Sequence, residues 1–326
     1  MQTVPTTLSA GDIWGACKVR LGIGRMDYKV EPGLYAVGTP DGASPVLVSA
    51  NYKLTFDALR SKLSGLDCWL LILDTDGVNV WCAAGKGTLG TEELINRIEL
   101  TGLTEIVKHR KLILPQLGAS NMKAHEVTRQ TGFSVIYGPV RAEDIKAFIA
   151  AECKATRKMR TVKFTAWDRL VLTPVELVAA LKISLFAFGV LFLLNLFATR
   201  PFGLRDVAAY IGAVLIGTVV TPLLLPWIPG RAFSFKGGLL GLIWTAAAVW
   251  RFRWFAPEYA LLAIGYLLLL PAVSACFALI FTGASTYTSP SGVLKEMKIS
   301  LPFIVGAFVV GAVLVLIQNL FIGRPL

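Results

Sequence analysis

The residues best suited to chemistry lie between Asp74 and Gly90. The run Trp69 to Thr75 (WLLILDT) leads into the turn Asp74-Thr75-Asp76-Gly77, and NVWCAAGKGTLGT follows. Cys82 falls in a short potential helix opened by Asn79, where Lys86 and a nearby helix terminus would favour the thiolate. Gly85, Gly87 and Gly90 allow close backbone approach to a large ligand. Three chemistries compete for this segment. GKGTLG has the spacing of a dinucleotide fingerprint, but about ten residues separate it from the strand end where that motif should begin, and Glu105 is the nearest candidate for the acid expected about 20 positions on. A P-loop fails, because its first glycine position is Val80 and its Ser/Thr position is Gly87. The third reading makes Cys82 a nucleophile or metal ligand. Spacing by itself favours a buried structural cysteine beside Trp81.

These residues need a scaffold, and the flanking pattern supplies one. GLYAVG (Gly33 to Gly38) and PVLVSA (Pro45 to Ala50) read as strands, with a helix near Thr55 to Leu63. WLLILDT is a continuous apolar run, the pattern of a strand buried on both faces. A helix follows at Thr91 to Leu100, with Thr91 as the expected N-cap and Glu92 and Glu93 in its first turn. KLILP (Lys111 to Pro115) and FSVIYGP (Phe133 to Pro139) are further strands. Helices are expected at Asn121 to Thr131, stopped by Gly132, and at Ala142 to Cys153. Repeated β–α units predict a mostly parallel sheet with helices on both faces. Ligands in such sheets bind outside the carboxyl ends of the strands.

Charge divides the chain. It has 326 residues, 55% hydrophobic and only 16% charged, with a net charge of +11. Residues 1–176 carry 22 basic and 18 acidic residues, and residues 177–326 carry 10 and 3. That composition excludes a disordered chain and a secreted disulfide scaffold. The basic excess does not point to nucleic acid, because no recognition motif accompanies it. Six basic residues against one acid lie between Lys154 and Arg169, just before the first long apolar run. This is the positive-inside signal, and it also suits anionic headgroups.

Five spans are expected: Leu177 to Ala198, Val207 to Ile228, Gly237 to Phe255, Tyr259 to Phe281 with a kink at Pro271, and Leu301 to Phe321. The third is the shortest and ends among Trp244, Trp250, Arg251, Trp254 and Arg253. Arg231, Lys236, Lys295 and Lys298 fall in loops on the inner side, and Arg200, Arg205, Arg251 and Arg253 on the outer side. Ionisable residues inside the spans are almost absent, which favours an anchor or docking module over an ion-coupled transporter. Cys276 in the fourth span reads as a small buried residue rather than a soft-metal ligand. No signal-peptide pattern precedes the first half, which is therefore expected to stay in the cytoplasm.

The five cysteines, Cys17, Cys68, Cys82, Cys153 and Cys276, form no CxxC or close pair. Structural zinc and Fe–S ligation need clustered thiolates. His109 and His125 lie in polar surroundings and read as solvated.

Asn79 to Lys86 (N-V-W-C-A-A-G-K) resembles the signature of the corrinoid protein family of microbial mercury methylation, the HgcA family. Gly22 to Gly38 (GIGRMDYKVEPGLYAVG), Pro45 to Arg60 (PVLVSANYKLTFDALR) and Tyr137 to Phe148 (YGPVRAEDIKAF) are also family-like, and the five-span tail matches the family's architecture. The first half is similar to the corrinoid domain of the corrinoid iron–sulfur protein of acetyl-CoA synthesis.

The resemblance implies an α/β Rossmann-like corrinoid-binding domain over residues 1–166 and an all-α transmembrane domain of about five helices over 167–326. It implies a cobalamin-type cofactor held base-off, with Cys82 as the lower axial cobalt ligand. Asn79, Val80, Trp81, Ala83, Ala84, Gly85 and Lys86 would be its cofactor-binding surroundings. Corrinoid proteins with a His ligand carry D-x-H-x-x-G, which neither histidine fits. The implied activity is methyl transfer from cobalt to Hg(II), in a multi-pass protein of the inner membrane with its soluble domain in the cytoplasm. The implied partners are a ferredoxin-like Fe–S protein as electron donor and an upstream methyl donor, methyltetrahydrofolate through another methyltransferase. Two alternatives stand beside this: a corrinoid methyl carrier of one-carbon metabolism with another acceptor, and a non-enzymatic transporter or anchor.

Overall fold

Apolar residues that alternate along a strand need cover on two sides, and the first half of the chain provides it. The computed structural model describes residues 2–322. Met1 and Leu326, the ends of the two expected domains, lie outside the described residues. The chain divides into two compact units between Lys163 and Phe164.

The first unit contains, in chain order, β1 (Gln2–Thr3), α1 (Ala10–Arg20), β2 (Gly33–Val37), β3 (Val46–Ala50), α2 (Lys53–Arg60), β4 (Cys68–Leu73), α3 (Val80–Lys86), α4 (Thr91–Leu100), α5 (Leu103–Ile106), β5 (Lys111–Leu114), α6 (Ala124–Thr131), β6 (Ser134–Tyr137) and α7 (Ile145–Ala150). The strands form one sheet in the order β1-β2-β4-β3-β5-β6. The four strands β4-β3-β5-β6 are parallel neighbours, in the doubly wound order whose connections diverge at β3 and β5.

The expected mostly parallel sheet forms, with one antiparallel junction: β2 runs antiparallel to β4 and carries β1 with it. The reason is loop length. Residues 38–45 span only the end of β4 between β2 and β3, whereas a parallel connection needs a dozen or more residues.

Period two divides the apolar residues between two cores. Val46, Val48, Trp69, Leu71 and Leu73 pack with Leu94, Ile95 and Ile98 of α4 and Val127 of α6. Leu47, Leu70 and Ile72 pack with Phe56 and Leu59 of α2 and Phe148 of α7. All six residues of β4 are buried, as its continuous apolar run predicts. Each fully buried Leu or Ile contributes roughly 1.5–3 kcal/mol, so β4 bonds both helical layers to one strand.

Several boundaries differ from the sequence reading. The N-cap of α4 is Gly90, not Thr91. The Thr91 hydroxyl instead accepts from the Lys123 N–H at 2.9 Å, which ties α4 to the start of α6. Residues 116–120 form a tight 3₁₀ turn, so α6 starts late; Gly132 ends it with φ 76°. The last helix stops at Ala150, and Glu152 and Cys153 follow with φ 54° and 62°. The helix α1 carries no apolar stripe for a sequence pattern to show, since it buries only Gly15 and Val19. Its start is secured by a capping box, in which Ser9 and Asp12 satisfy each other's backbone N–H.

The second unit holds five helices long and apolar enough to cross a membrane: Ala166–Leu194, Leu204–Leu224, Phe233–Arg251, Pro257–Ala284 and Pro290–Ile322. The fourth carries Pro271 and is the most enclosed, with 61% of its apolar window buried against 11% for the first. Small residues let it approach its neighbours closely. A Cβ on Gly241 would stand 2.7 Å from Ser274 Cβ, and one on Gly265 would stand 2.7 Å from Val315 Cγ2.

The near-absence of interior charge, expected from sequence, is corrected at two places. Arg200, read as an outer loop residue, is 2% exposed. Its guanidinium lies 3.2 Å from Asp206 Oδ1 and donates to Asn319 Oδ1 at 2.8 Å. Tyr266 also donates to Asp206 Oδ1, at 2.6 Å. Mutual pairing makes this burial tolerable. Lys236 lies in the first turn of the third span, which begins at Phe233, and its ammonium donates to the Leu225 carbonyl at 2.5 Å.

Candidate functional site

The carboxyl ends of β3 and β4 lie side by side, with Ala50 opposite Leu73. Asn51 follows β3 and is 1% exposed. Its Oδ1 accepts from the backbone N–H of Thr75 and of Gly77, both at 3.1 Å, and its Nδ2 donates to Asp74 Oδ1 at 3.1 Å. The Thr75 hydroxyl lies 2.9 Å from the same Oδ1 and 2.8 Å from the Val78 carbonyl. One buried amide thus holds the turn after β4. Within it Asp76 has φ 56° and Gly77 φ 69°. The strain at Asp76 is offset by the bond from its N–H to Asp74 Oδ1 at 3.1 Å.

This turn delivers Asn79 to the head of α3. Asn79 is extended, with φ −70° and ψ 164°, and its side-chain oxygen accepts from the Cys82 N–H at 2.8 Å. Val80 and Ala83 face inward, 8% and 0% exposed, and join the core cluster of Leu71, Leu73 and Leu89. Helical spacing then turns Trp81 and Cys82 outward, and both are exposed. The buried structural cysteine expected from spacing is therefore overturned. Ala84 is half-buried, and Gly85 and Lys86 are exposed. A Cβ on Gly85 would meet nothing within 4 Å. Gly87 closes the helix with φ 91°, its N–H on the Ala83 carbonyl. The glycines of GKGTLG thus end α3 and open α4 at Gly90; they do not form a strand-end turn.

The other thiols differ. Cys68 is buried within β4, and burial pushes it up to about 12. Burial also raises Cys153. Cys17 is exposed on α1, far from the glycine-rich segment in sequence. Among the described residues no three His, Cys, Asp or Glu side chains gather as a metal site. His109 is not simply solvated. Its Nδ1 accepts from the Lys111 N–H at 3.2 Å, so its Nε2 donates to the Ser44 carbonyl at 2.8 Å.

Hydroxyls around the segment lack partners. Tyr52 and Thr88 bury their oxygens without a hydrogen bond, and so does Tyr28, whose hydroxyl lies against Gly15 of α1 instead. Burial raises the Tyr52 phenol, Arg25 and Arg20 oppose that, and a thiolate at Cys82 would add to it. Tyr28 and Tyr52 meet edge to face with centroids 6.5 Å apart, and the would-be Cβ of Gly77 lies 3.4 Å from the Met26 carbonyl. The segment Met26 to Val30 therefore flanks the same strand ends, a feature the sequence pattern did not mark as part of the site. Chemically, the arrangement offers a single soft donor in open space, flanked by an exposed indole and by hydroxyls able to bond a polar rim.

The family of the CO dehydrogenase/acetyl-CoA synthase delta subunit matches residues 24–149. Similar proteins include the acetyl-CoA decarbonylase/synthase complex subunit gamma of Methanopyrus kandleri, 35% identical over 130 residues, which are 39% of this chain and 28% of that one. The subunit gamma of Methanocaldococcus jannaschii is 35% identical over 127 residues, 38% of this chain and 26% of the relative. The subunit gamma of Archaeoglobus fulgidus is likewise 35% identical over 127 residues, 38% and 27% of the two chains. The chain thus spans a little over a quarter of the length of these relatives. The family match lies within the α/β unit and includes the segment around Cys82.

Proposed function

We propose that the chain is a membrane-anchored, corrinoid-dependent methyltransferase that transfers a methyl group to Hg(II), forming methylmercury. The observation that carries this reading is the exposed Cys82 on α3, beyond the carboxyl ends of parallel strands, where α/β sheets receive ligands. A corrinoid, when bound, supplies the cobalt centre that takes up and gives away methyl. The orphaned hydroxyls of Tyr52 and Thr88 and the open space at Gly85 fit a large ligand with a polar rim.

In this reading Cys82 would hold the corrinoid through a thiolate bond to its cobalt. Asn79 fixes the rotation of α3 by bonding the Cys82 N–H, and Val80 and Ala83 anchor the helix to the core. Asn51 holds the turn that feeds it. Trp81, Ala84, Gly85 and Lys86 form the remaining surroundings. A soft thiolate donates strongly to the metal it binds, and Hg(II) is a soft acceptor substrate. A ferredoxin-like Fe–S protein supplies electrons, since the scattered cysteines hold no cluster of their own. Methyltetrahydrofolate, through another methyltransferase, supplies methyl. The first unit lies in the cytoplasm, tethered by the five helices to the inner membrane. The names of the relatives favour a second reading, a one-carbon methyl carrier with a different acceptor.

The test uses the full chain in detergent, loaded with corrinoid. Its visible spectrum should show thiolate ligation that Cys82→Ala removes, and methylmercury should form from Hg(II) only with Cys82 present. An unchanged spectrum in the variant sinks the ligand assignment. A normal spectrum without methylmercury favours the carrier.

A further inference from the structure

The second unit contains a cavity of about 960 Å³, within the range of ligand sites, where the second, third and fifth spans end. Two helix N-termini open on it. The third span begins at Phe233 without a side-chain cap, and the fifth begins at Pro290 after Ser289; Phe233 and Ser289 both line the space. Helix N-termini present positive potential.

Charged side chains reinforce that sign. Arg231, Lys236 and Lys295 line the cavity with a single acid, Glu296. Glu296 is already engaged, since its Oε1 accepts from Ser234 N–H at 2.7 Å and Ser234 Oγ at 2.8 Å. Lys236 is 8% exposed and bonds only a neutral carbonyl. Arg231 and Lys295 are exposed and make no ion pair among the described residues. Three cations less one carboxylate leave the walls with two uncompensated positive charges. The remaining lining is apolar at Leu225, Phe233 and Ile299, and Trp227, next to it in sequence, is 69% exposed. A tryptophan beside cations at a helix end is the signature of a headgroup layer.

We infer that this cavity binds the phosphate of an anionic phospholipid, with the cations and helix N-termini on the headgroup and the apolar wall on its glycerol and acyl stem. The site is built by the second unit alone and does not depend on the corrinoid reading. It gives the five helices a task besides anchoring: selecting the lipid in which the protein sits.

The experiment is native mass spectrometry of the full chain in detergent, titrated with phosphatidylglycerol, with phosphatidylcholine or with inorganic phosphate. Phosphatidylglycerol should bind at least tenfold more tightly than phosphatidylcholine. Each juxtamembrane cation contributes about 1 kcal/mol, roughly a fivefold effect, so the double variant Arg231→Gln/Lys295→Gln should weaken phosphatidylglycerol about 30-fold. Both side chains are exposed, so the variant should fold. The control Arg251→Gln/Arg253→Gln, at the other end of the third span, should stay within about twofold. Equal binding of the two lipids, or an unaffected double variant, overturns the inference. Displacement of phosphatidylglycerol by equimolar inorganic phosphate also overturns it and assigns the site to a soluble anion.

Discussion

Asn51→Ala tests whether one buried amide positions the segment that carries Cys82. In the native protein Asn51 Oδ1 takes two backbone N–H groups, those of Thr75 and Gly77, each at 3.1 Å. Truncation leaves both without an acceptor, in a pocket where Asn51 is 1% exposed. An orphaned buried donor costs about 1–3 kcal/mol. The Thr75 hydroxyl keeps the Val78 carbonyl as an alternative partner, so it adds little. The expected loss is therefore about 2–6 kcal/mol, concentrated in the turn and in α3. Hydrogen exchange followed by mass spectrometry on the full chain reads this directly. At 1.4 kcal/mol per tenfold, amides of residues 74–87 should exchange at least roughly 30-fold faster, with β5 and β6 much less affected. Asn51→Asp supplies a second check. It keeps an acceptor for both N–H groups but sets a carboxylate against Asp74, now 3.1 Å from Nδ2. That repulsion acts above the carboxylate range and is relieved as pH falls and one acid protonates. Unchanged exchange over residues 74–87 in Asn51→Ala would refute the reasoning.

Three further outcomes follow from the geometry. In the cofactor-free chain at pH 8, iodoacetamide should modify the exposed Cys17 and Cys82 but not Cys68, whose thiol burial pushes up to about 12; corrinoid loading should protect Cys82 alone, as peptide mapping will show. Asp12 is held well below the ordinary carboxylate range, chiefly by its bond to the Lys53 ammonium at 2.6 Å, with burial opposing and Ser9 and Arg60 assisting. A lowered carboxylate contributes stability that is complete above about pH 4 and is lost as pH falls through its folded value, so Asp12→Asn should flatten the acid limb of an unfolding-versus-pH curve and cost about 2 kcal/mol at neutral pH. If the first unit lies in the cytoplasm as proposed, five spans put a reporter fused after Leu326 outside the cytoplasmic membrane, and activity on the inside would remove a span or reverse the insertion.

Local pattern carried most of the scaffold. The apolar run of β4 announced burial on both faces because a strand clothed by two helical layers has no polar side to display. Asn79 was recognisable as the cap of α3 because capping is a contact between near neighbours. The five apolar helices followed from length and composition, properties that need no partner. The short connection from β2 to β3 already forces β2 to turn back, but that its partner is β4 is decided only across the sheet.

The exposure of Cys82 belongs to the same division. Its neighbour Trp81 suggested an interior, but Val80 and Ala83 take the core-facing side of α3 and leave Cys82 outward, at the end of a turn held by Asn51, 31 positions away in the chain. Arg200 shows it in the membrane half, where a charge that reads as a loop residue is enclosed by Asp206 and Asn319, the latter 119 positions distant. What the sequence determined by itself was the chemistry available and the local elements that bear it, because propensity, capping and hydropathy act over a few residues. What only the tertiary structure decided was which polar groups meet and which thiol faces solvent, because those are settled by contacts between residues far apart in the chain.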